Sequence, residues 1–213
     1  LAATSGILTR ASGAFSITPG LATQLAVTAS PSTTTAGANL SPALRVAALD
    51  DFGNTVTSFT GAVTVAIGNN PAGGVLSGTT TVAAVSGVAV FSALSLDKAG
   101  SGYTMLVTAP GLAAATSAAF NITPGTATQL AYTVQPSTAG AGALITPAIE
   151  VVASDAFGNT ATSFLGNVTV VLTGGTGTPG ATLSGTRTVG AVGGIATFST
   201  LSIDKSGSGY RLT

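Results

Sequence analysis

Two short acidic segments hold the residues best suited to chemistry. Asp50-Asp51-Phe52-Gly53-Asn54 and Asp155-Ala156-Phe157-Gly158-Asn159 each gather carboxylate and amide oxygens within five residues, as a calcium site would begin. Calcium takes six to eight oxygens, usually with several carboxylates. Each segment offers one or two, and Asp51 of the first becomes Ala156 in the second. The same residues have a simpler use: Asp bonds its own backbone, and Gly or Asn accepts positive φ, so Asp-x-Phe-Gly-Asn reads as a turn. Lys98 and Lys205 raise a second chemistry, an isopeptide cross-link or a Ser–Lys nucleophile pair. Both sit in Gly-rich stretches rather than on a buried strand, with no desolvated carboxylate evident beside them. The Gly-rich stretch 173–180 lacks the Lys-Ser/Thr phosphate signature and opens no helix. Asn39, Asn121 and Asn167 begin Asn-x-Ser/Thr sequons, the acceptor pattern for N-glycosylation.

Composition narrows the field further. The chain of 213 residues has no histidine and no cysteine. That removes the commonest general base and metal ligand, and any disulfide framework or thiolate site. We expect no enzyme activity, no cofactor and no metal. Charged residues are 6% of the chain and cancel to a formal net charge of zero, against roughly 25% in an ordinary globular protein. Nucleic acid and acidic lipid surfaces are therefore not expected partners. No apolar run is long enough to span a membrane, and no signal peptide is visible. A mean hydropathy of +0.60 argues against disorder, which needs low hydrophobicity and high charge. The apolar residues are largely Ala and Val, suited to thin β-sandwich cores. A weakly charged surface also offers little repulsion between neighbours, which favours packing side by side or end to end.

The turns recur because the whole chain repeats. Phe15-Ser16-Ile17-Thr18-Pro19-Gly20 returns as Phe120-Asn121-Ile122-Thr123-Pro124-Gly125, an offset of 120 − 15 = 105. The offset holds through the acidic turns and becomes 204 − 97 = 107 at Leu96-Asp97-Lys98 and Ile203-Asp204-Lys205. The two extra residues fall in a Gly/Pro/Asn-rich stretch, where insertions into surface loops collect. A period of this length is a domain in tandem rather than a short solenoid unit. We divide the chain into 1–17, the terminal strand of a preceding repeat or a donor strand; 18–122, repeat 1; and 123–213, repeat 2 without its last strand. Leu1 to Phe15 aligns with Leu106 to Phe120, so the chain starts with the kind of segment that repeat 2 needs at its end.

Within one repeat the period is two. Thr23 to Ser30 reads as a first strand and Pro42 to Asp50 as a second. In the second, Leu44, Val46 and Ala48 face inward, because Ile149, Val151 and Ala153 stay apolar in repeat 2 while Arg45 and Leu49 become Glu150 and Ser154. Gly61 to Gly68 follows with Val63, Val65 and Ile67 inward. Val75 to Val85 and Val88 to Leu96 come next, the last changing phase in a way that calls for a bulge near Ser92 or Ala93. Lys98 to Gly102 reads as a loop, Tyr103 to Thr108 as a strand, and Ala113 to Thr123 as the closing strand. About seven strands with turns every 8–12 residues is the pattern of an all-β sandwich. Tyr103 and Tyr210, directly after a Gly-Ser-Gly corner, stand where a tyrosine corner sits in immunoglobulin-like sandwiches.

These motifs, in order and twice over, resemble a family. Asp-x-Phe-Gly-Asn-Thr, Val/Thr-Leu-Ser-Gly-Thr, Ser-Gly-Val-Ala-x-Phe or Gly-Gly-Ile-Ala-x-Phe, and Lys-x-Gly-x-Gly-Tyr are similar to bacterial immunoglobulin-like tandem domains, of the group 1 kind in invasin and intimin stalks. The resemblance covers nearly all of both repeats. It implies a bacterial surface or secreted protein whose domains form a stalk or fibre, and a bacterial setting counts against glycosylation of the sequons. The chain lacks the cysteine-stapled lectin-like tip that such adhesins carry, so no receptor site comes with the likeness.

The expected architecture is all-β: tandem immunoglobulin-like sandwiches arranged as a rod. The junctions have no Gly/Ser spacer, and Pro19 and Pro124, beside Phe15 and Phe120, fix φ. Strands of about 8 residues rising roughly 3.3 Å each, plus loops, advance the rod by roughly 35–45 Å per repeat. Strand direction puts the Asp-x-Phe-Gly-Asn turn at the top of a domain and the Asp97-Lys98 loop at the bottom. Asp97 and Lys98 of repeat 1 should then meet Asp155 and Phe157 of repeat 2 and fix the interdomain angle. The leading function is a structural fibre or stalk, extracellular or at the cell surface, whose partners are further repeats or copies of itself. The alternative is an adhesin or carbohydrate-binding module using domain-end loops toward a glycan or surface ligand. Within the fibre reading, one long tandem chain competes with a polymer in which Leu1 to Ile17 of one subunit completes repeat 2 of the next. The close match of the repeats favours the long chain.

Overall fold

The computed structural model describes residues 2–6 and 8–213. Leu1 and Ile7, both within the 1–17 segment, lie outside the described residues. The described chain is all-β, without a helix, and its strands gather in several small sheets consistent with a β-sandwich.

In repeat 1, Leu44–Leu49 lies between Gln24–Ala29 and Val88–Phe91, all antiparallel. Ala62–Ile67 lies between Thr81–Ala83 and Met105–Thr108, and the latter also pairs with Ala115–Thr116. The two sheets share one core, with Leu44, Val46 and Ala48 from the first and Val63, Val65 and Val107 from the second. A strand's alternate residues face opposite sides, so each sheet gives one face to this core. A third sheet adds Tyr103, Phe120 and Ile122 to the same core. Phe120–Thr123 pairs antiparallel with Gly100–Tyr103 and parallel with Thr34–Thr35.

Four stretches differ from the sequence reading. Val75 to Val85 is two strands, not one: Leu76–Ser77 pairs with Ser95–Leu96, whereas Thr81–Ala83 pairs with Ala62–Ile67. The crossing between sheets happens at Gly78, with φ of 106°, where a Cβ would lie 1.8 Å from the Ala93 carbonyl oxygen. Only glycine passes there. Val88 to Leu96 likewise breaks at 92–94 and changes partner strand, which is how Phe91, Leu94 and Leu96 all reach the core. The Gly100-Ser101-Gly102 stretch, read as a loop, is paired strand with a register shift before Tyr103. The pairing includes a side-chain bond, Gly102 N–H to Asn121 Oδ1 at 3.0 Å, but Gly-Ser-Gly has no apolar side chain to alternate and so gives no strand signal. The closing strand is also interrupted, as Ala115–Thr116 and Phe120–Thr123.

Repeat 2 rebuilds the same frame. Ile149–Ser154 lies between Gln129–Val134 and Ile195–Phe198, and Asn167–Thr169 pairs with Thr188–Gly190. Leu183–Ser184 pairs with Ser202–Ile203. Its core holds Ile149, Val151, Val168, Val170, Phe198 and Leu201. The chain's last residues run beside 171–173, with Val171 and Thr213 exchanging backbone bonds of 2.9 Å.

At the other end, Ala2–Ser5 and Leu8–Ala11 pair with each other as a hairpin, in register Ala2 with Ala11. This segment is thus two short strands rather than one. Residues 12–23 form no strand, and Phe15, Ile17 and Pro19 are exposed.

Candidate interdomain interface

Each acidic turn is wound around its first carboxylate. Asp155 Oδ1 accepts from the backbone N–H of Phe157 and of Asn159, both at 2.9 Å, and Oδ2 accepts from Gly125 N–H at 2.8 Å. The Asn159 amide donates to the same carboxylate at 2.9 Å. In repeat 1 Asp50 accepts from Phe52, Asn54 and Gly20 in the same way, at 3.0, 2.9 and 2.9 Å. The Gly20 and Gly125 bonds tie each turn to the junction that enters its domain. Both carboxylates are buried. Burial pushes Asp50 upward, but the donors from Asn54, Gly20 and Phe52 outweigh it and hold its pKa at about 2 against an ordinary 3.8. Asp155 is lowered through the same opposition, burial against Asn159, Gly125 and Phe157. With their lone pairs taken by these donors, the carboxylates serve the turn rather than a cation.

The two turns differ in what lies against them. Lys98, at the bottom of repeat 1, donates from Nζ to the Phe157 carbonyl oxygen at 2.6 Å. Ala99 N–H donates to Asn159 Oδ1 at 2.9 Å, and Asn159 Nδ2 donates to the Asp97 carbonyl oxygen at 2.8 Å. The Phe157 ring lies directly over Gly37, where a Cβ would come within 2.3 Å of it. Loop 97–99 and Gly37 of repeat 1 therefore form a seat for the turn of repeat 2, with one amide bridging both sides.

Of the residues singled out from sequence, Lys98 touches Phe157 directly. Asp97 contributes its carbonyl, while its carboxylate accepts from Val75 N–H at 2.7 Å within its own domain. Asp155 stays inside its turn and reaches repeat 1 only through Asn159. Asn159, Ala99 and Gly37 were not anticipated. Asn159 closes the motif in both repeats, and that recurrence was the one signal pointing to it. Gly37 and Ala99 carry none, since one is chosen for what it lacks and the other acts through its backbone.

Tyr103 is fully buried, donates from Oη to the Lys98 carbonyl at 2.8 Å, and stacks on Phe120 with ring centroids 6.1 Å apart. Burial and the nearby Asp97 charge raise its hydroxyl pKa, which keeps it a donor. The corner thereby braces the carbonyl preceding Ala99 in the seat. Tyr210 makes the matching bond to Lys205 at 2.9 Å but is half exposed. Phe120 and Ile122 of the junction are buried and Pro124 is half-buried, unlike Phe15, Ile17 and Pro19.

This arrangement joins a loop and a turn of one all-β chain through three hydrogen bonds. No protein-family model and no curated protein matches the chain. Among solved structures it is similar to domains 4–9 of the surface layer protein SbsC, at 16% identity and a TM-score of 0.36, over 99% of this chain and 33% of that one. It is also similar to domains 5–6 of that S-layer protein, at 16% identity and a TM-score of 0.35, over 91% of this chain and 96% of the other. The chain thus spans about a third of the longer of the two. A superposition this loose carries no argument about role.

Proposed function

We propose that this chain is a structural component of an extracellular bacterial fibre or stalk. Immunoglobulin-like sandwiches are stacked end to end as a semi-rigid rod, extended within one long chain or by strand donation. The observation that carries the reading is the seat between repeats: Lys98, Ala99 and Gly37 hold Phe157 and Asn159 of the next module. The same loop and the same turn recur at the two outer ends as Lys205 and Phe52, so the contact can be reused without limit. A heterologous contact of that kind builds filaments when it does not close on itself. The family resemblance of the turn motifs supports a bacterial surface setting. The near absence of charge supports cohesion, and the lack of histidine and cysteine supports a mechanical rather than catalytic role. Partners are copies of the module.

Electron cryo-microscopy of the native material tests this. Filaments with an axial repeat of roughly 70–90 Å for two repeats, given strands rising about 3.3 Å per residue, are the expected result. Isolated compact particles, with neither filament nor longer tandem chain, would overturn it.

A further inference from the structure

The Asn159 side chain fits its surroundings in one orientation. Its Nδ2 donates to the Asp155 carboxylate at 2.9 Å and to the Asp97 carbonyl oxygen at 2.8 Å, while Oδ1 accepts from the Ala99 N–H at 2.9 Å. Turned over, the amide would set its oxygen against a carboxylate and a carbonyl, and its NH2 group against an N–H. Resting on the stacked-repeat reading of this contact, we propose that loop 97–99 is a recognition site for a primary carboxamide, and that it selects the turn it holds by the Asn159 amide.

The loop offers a matched pair of backbone groups. An acceptor, the Asp97 carbonyl, and a donor, the Ala99 N–H, stand on either side of Lys98 and meet the donor and acceptor of one amide. Backbone groups cannot exchange roles. A carboxylate in place of the amide has two acceptors and nothing to give, and a hydroxyl gives one hydrogen where this amide gives two. A carboxylate would also leave the Asp97 carbonyl unmet and set a second negative charge beside buried Asp155. The other contacts of the seat discriminate less. Lys98 Nζ bonds the Phe157 carbonyl, a group every residue has. The Phe157 ring over Gly37 asks only for a flat apolar side chain.

The loop is held in shape from inside its own repeat. The Asp97 carboxylate accepts from the Val75 N–H at 2.7 Å, and Tyr103 Oη donates to the Lys98 carbonyl at 2.8 Å. That carbonyl and the Ala99 N–H are opposite ends of one planar trans peptide group. By fixing the inner end, Tyr103 aims the N–H outward at Asn159, which makes it a positioning residue of the site. The anchors recur in repeat 2, where Asp204 accepts from the Thr182 N–H at 2.7 Å and Tyr210 donates to the Lys205 carbonyl at 2.9 Å. Groups fixed beforehand bind without the entropy loss of being ordered.

Asn54 provides the control. Its Nδ2 meets the Asp50 carboxylate at 3.2 and 3.1 Å, and among the described residues all its bonds stay within its own turn. It is exposed where Asn159 is half-buried. The same substitution at the two positions therefore separates the turn from the joint.

The chain has no cysteine, so Thr57→Cys and Ser199→Cys, one exposed position on each repeat, can carry spin labels. The parent chain should give one narrow distribution of distances between them. Asn159→Asp, nearly unchanged in shape, should broaden it by roughly 2-fold or more, because an unmet polar group costs more than a matched bond returns. Asn54→Asp should leave the width unchanged. Tyr103→Phe keeps the buried ring and loses only the hydroxyl, and should broaden the distribution while circular dichroism shows repeat 1 still folded. An Asn159→Asp distribution as narrow as the parent's, or equal broadening by Asn54→Asp, overturns the carboxamide site and leaves the joint standing. A Tyr103→Phe distribution as narrow as the parent's overturns the positioning role. A parent distribution already broad overturns the joint, and the site with it.

Discussion

Asp50–Asn54 and Asp155–Asn159 are nearly the same pentapeptide with the same internal bonds, yet Phe52 is 90% exposed and Phe157 42%. The difference lies wholly in what stands opposite. One turn meets the Lys98 loop and Gly37, and the other meets solvent. A matching contrast separates the two tyrosine corners: Tyr103 is sealed by Phe120, while Tyr210 makes the same hydrogen bond over an open groove. Local sequence thus settles the shape of each turn and corner. The neighbour settles whether that shape becomes an interface.

The largest expected effect tests the corners. Tyr103→Ala removes a fully buried ring and its bond to Lys98, and should cost about 3–5 kcal/mol in urea unfolding, the range for buried aromatic truncations. Tyr210→Ala should cost about 1 kcal/mol in the isolated chain, since the ring is half exposed. The two repeats should therefore unfold in separable steps, repeat 2 first. Equal losses at the two corners would contradict the comparison. A Tyr210 loss that grows toward the Tyr103 value on association would sharpen it.

A smaller contrast separates two glycines. Gly37 and Gly142 share a positive φ, 78° and 77°, so alanine strains the backbone alike at both, by roughly 1 kcal/mol. Only at Gly37 does the new Cβ strike the Phe157 ring. Gly37→Ala should therefore loosen the angle between repeats as well. That loosening is read as a broadened distance distribution between spin labels on the two repeats, and Gly142→Ala should leave the distribution unchanged.

How much of this could be read from the residues depends on what carries each feature. The buried face of Leu44–Leu49 was legible because apolar side chains alternate and repeat 2 keeps the inward positions apolar, as Ile149, Val151 and Ala153. The loop-to-turn juxtaposition was legible because strand direction alone assigns tops and bottoms. The sheet crossings at Gly78 and at 92–94 were not, since a continuous apolar pattern looks the same whether its partners lie in one sheet or two. Pairing at Gly100–Tyr103 and Thr34–Thr35 was hidden for a related reason: backbone bonds leave no mark on side-chain type. The seat itself depends on Gly37 and on the Ala99 N–H, neither of which has a side chain to announce it.

The smallest expected contrast is in acid. Asp50 has a folded pKa of about 2, below its ordinary 3.8, and Asp155 is lowered by the matching donors. A lowered carboxylate gives stability that is complete above the unfolded pKa and is lost as pH falls through the folded one. Thermal stability should therefore be level near neutrality and decline as pH drops from about 4 toward 2. Asp50→Asn should flatten that decline for repeat 1, and Asp155→Asn for repeat 2. Both acid limbs should fall in the same direction, because the bonds that depress each carboxylate lie within its own turn and junction, and the seat reaches Asp155 only through the Asn159 amide. If Lys98→Ala moved the Asp155 limb, the seat would be tuning the carboxylate directly. The division between a turn shaped locally and an interface added by its neighbour would then have to be redrawn.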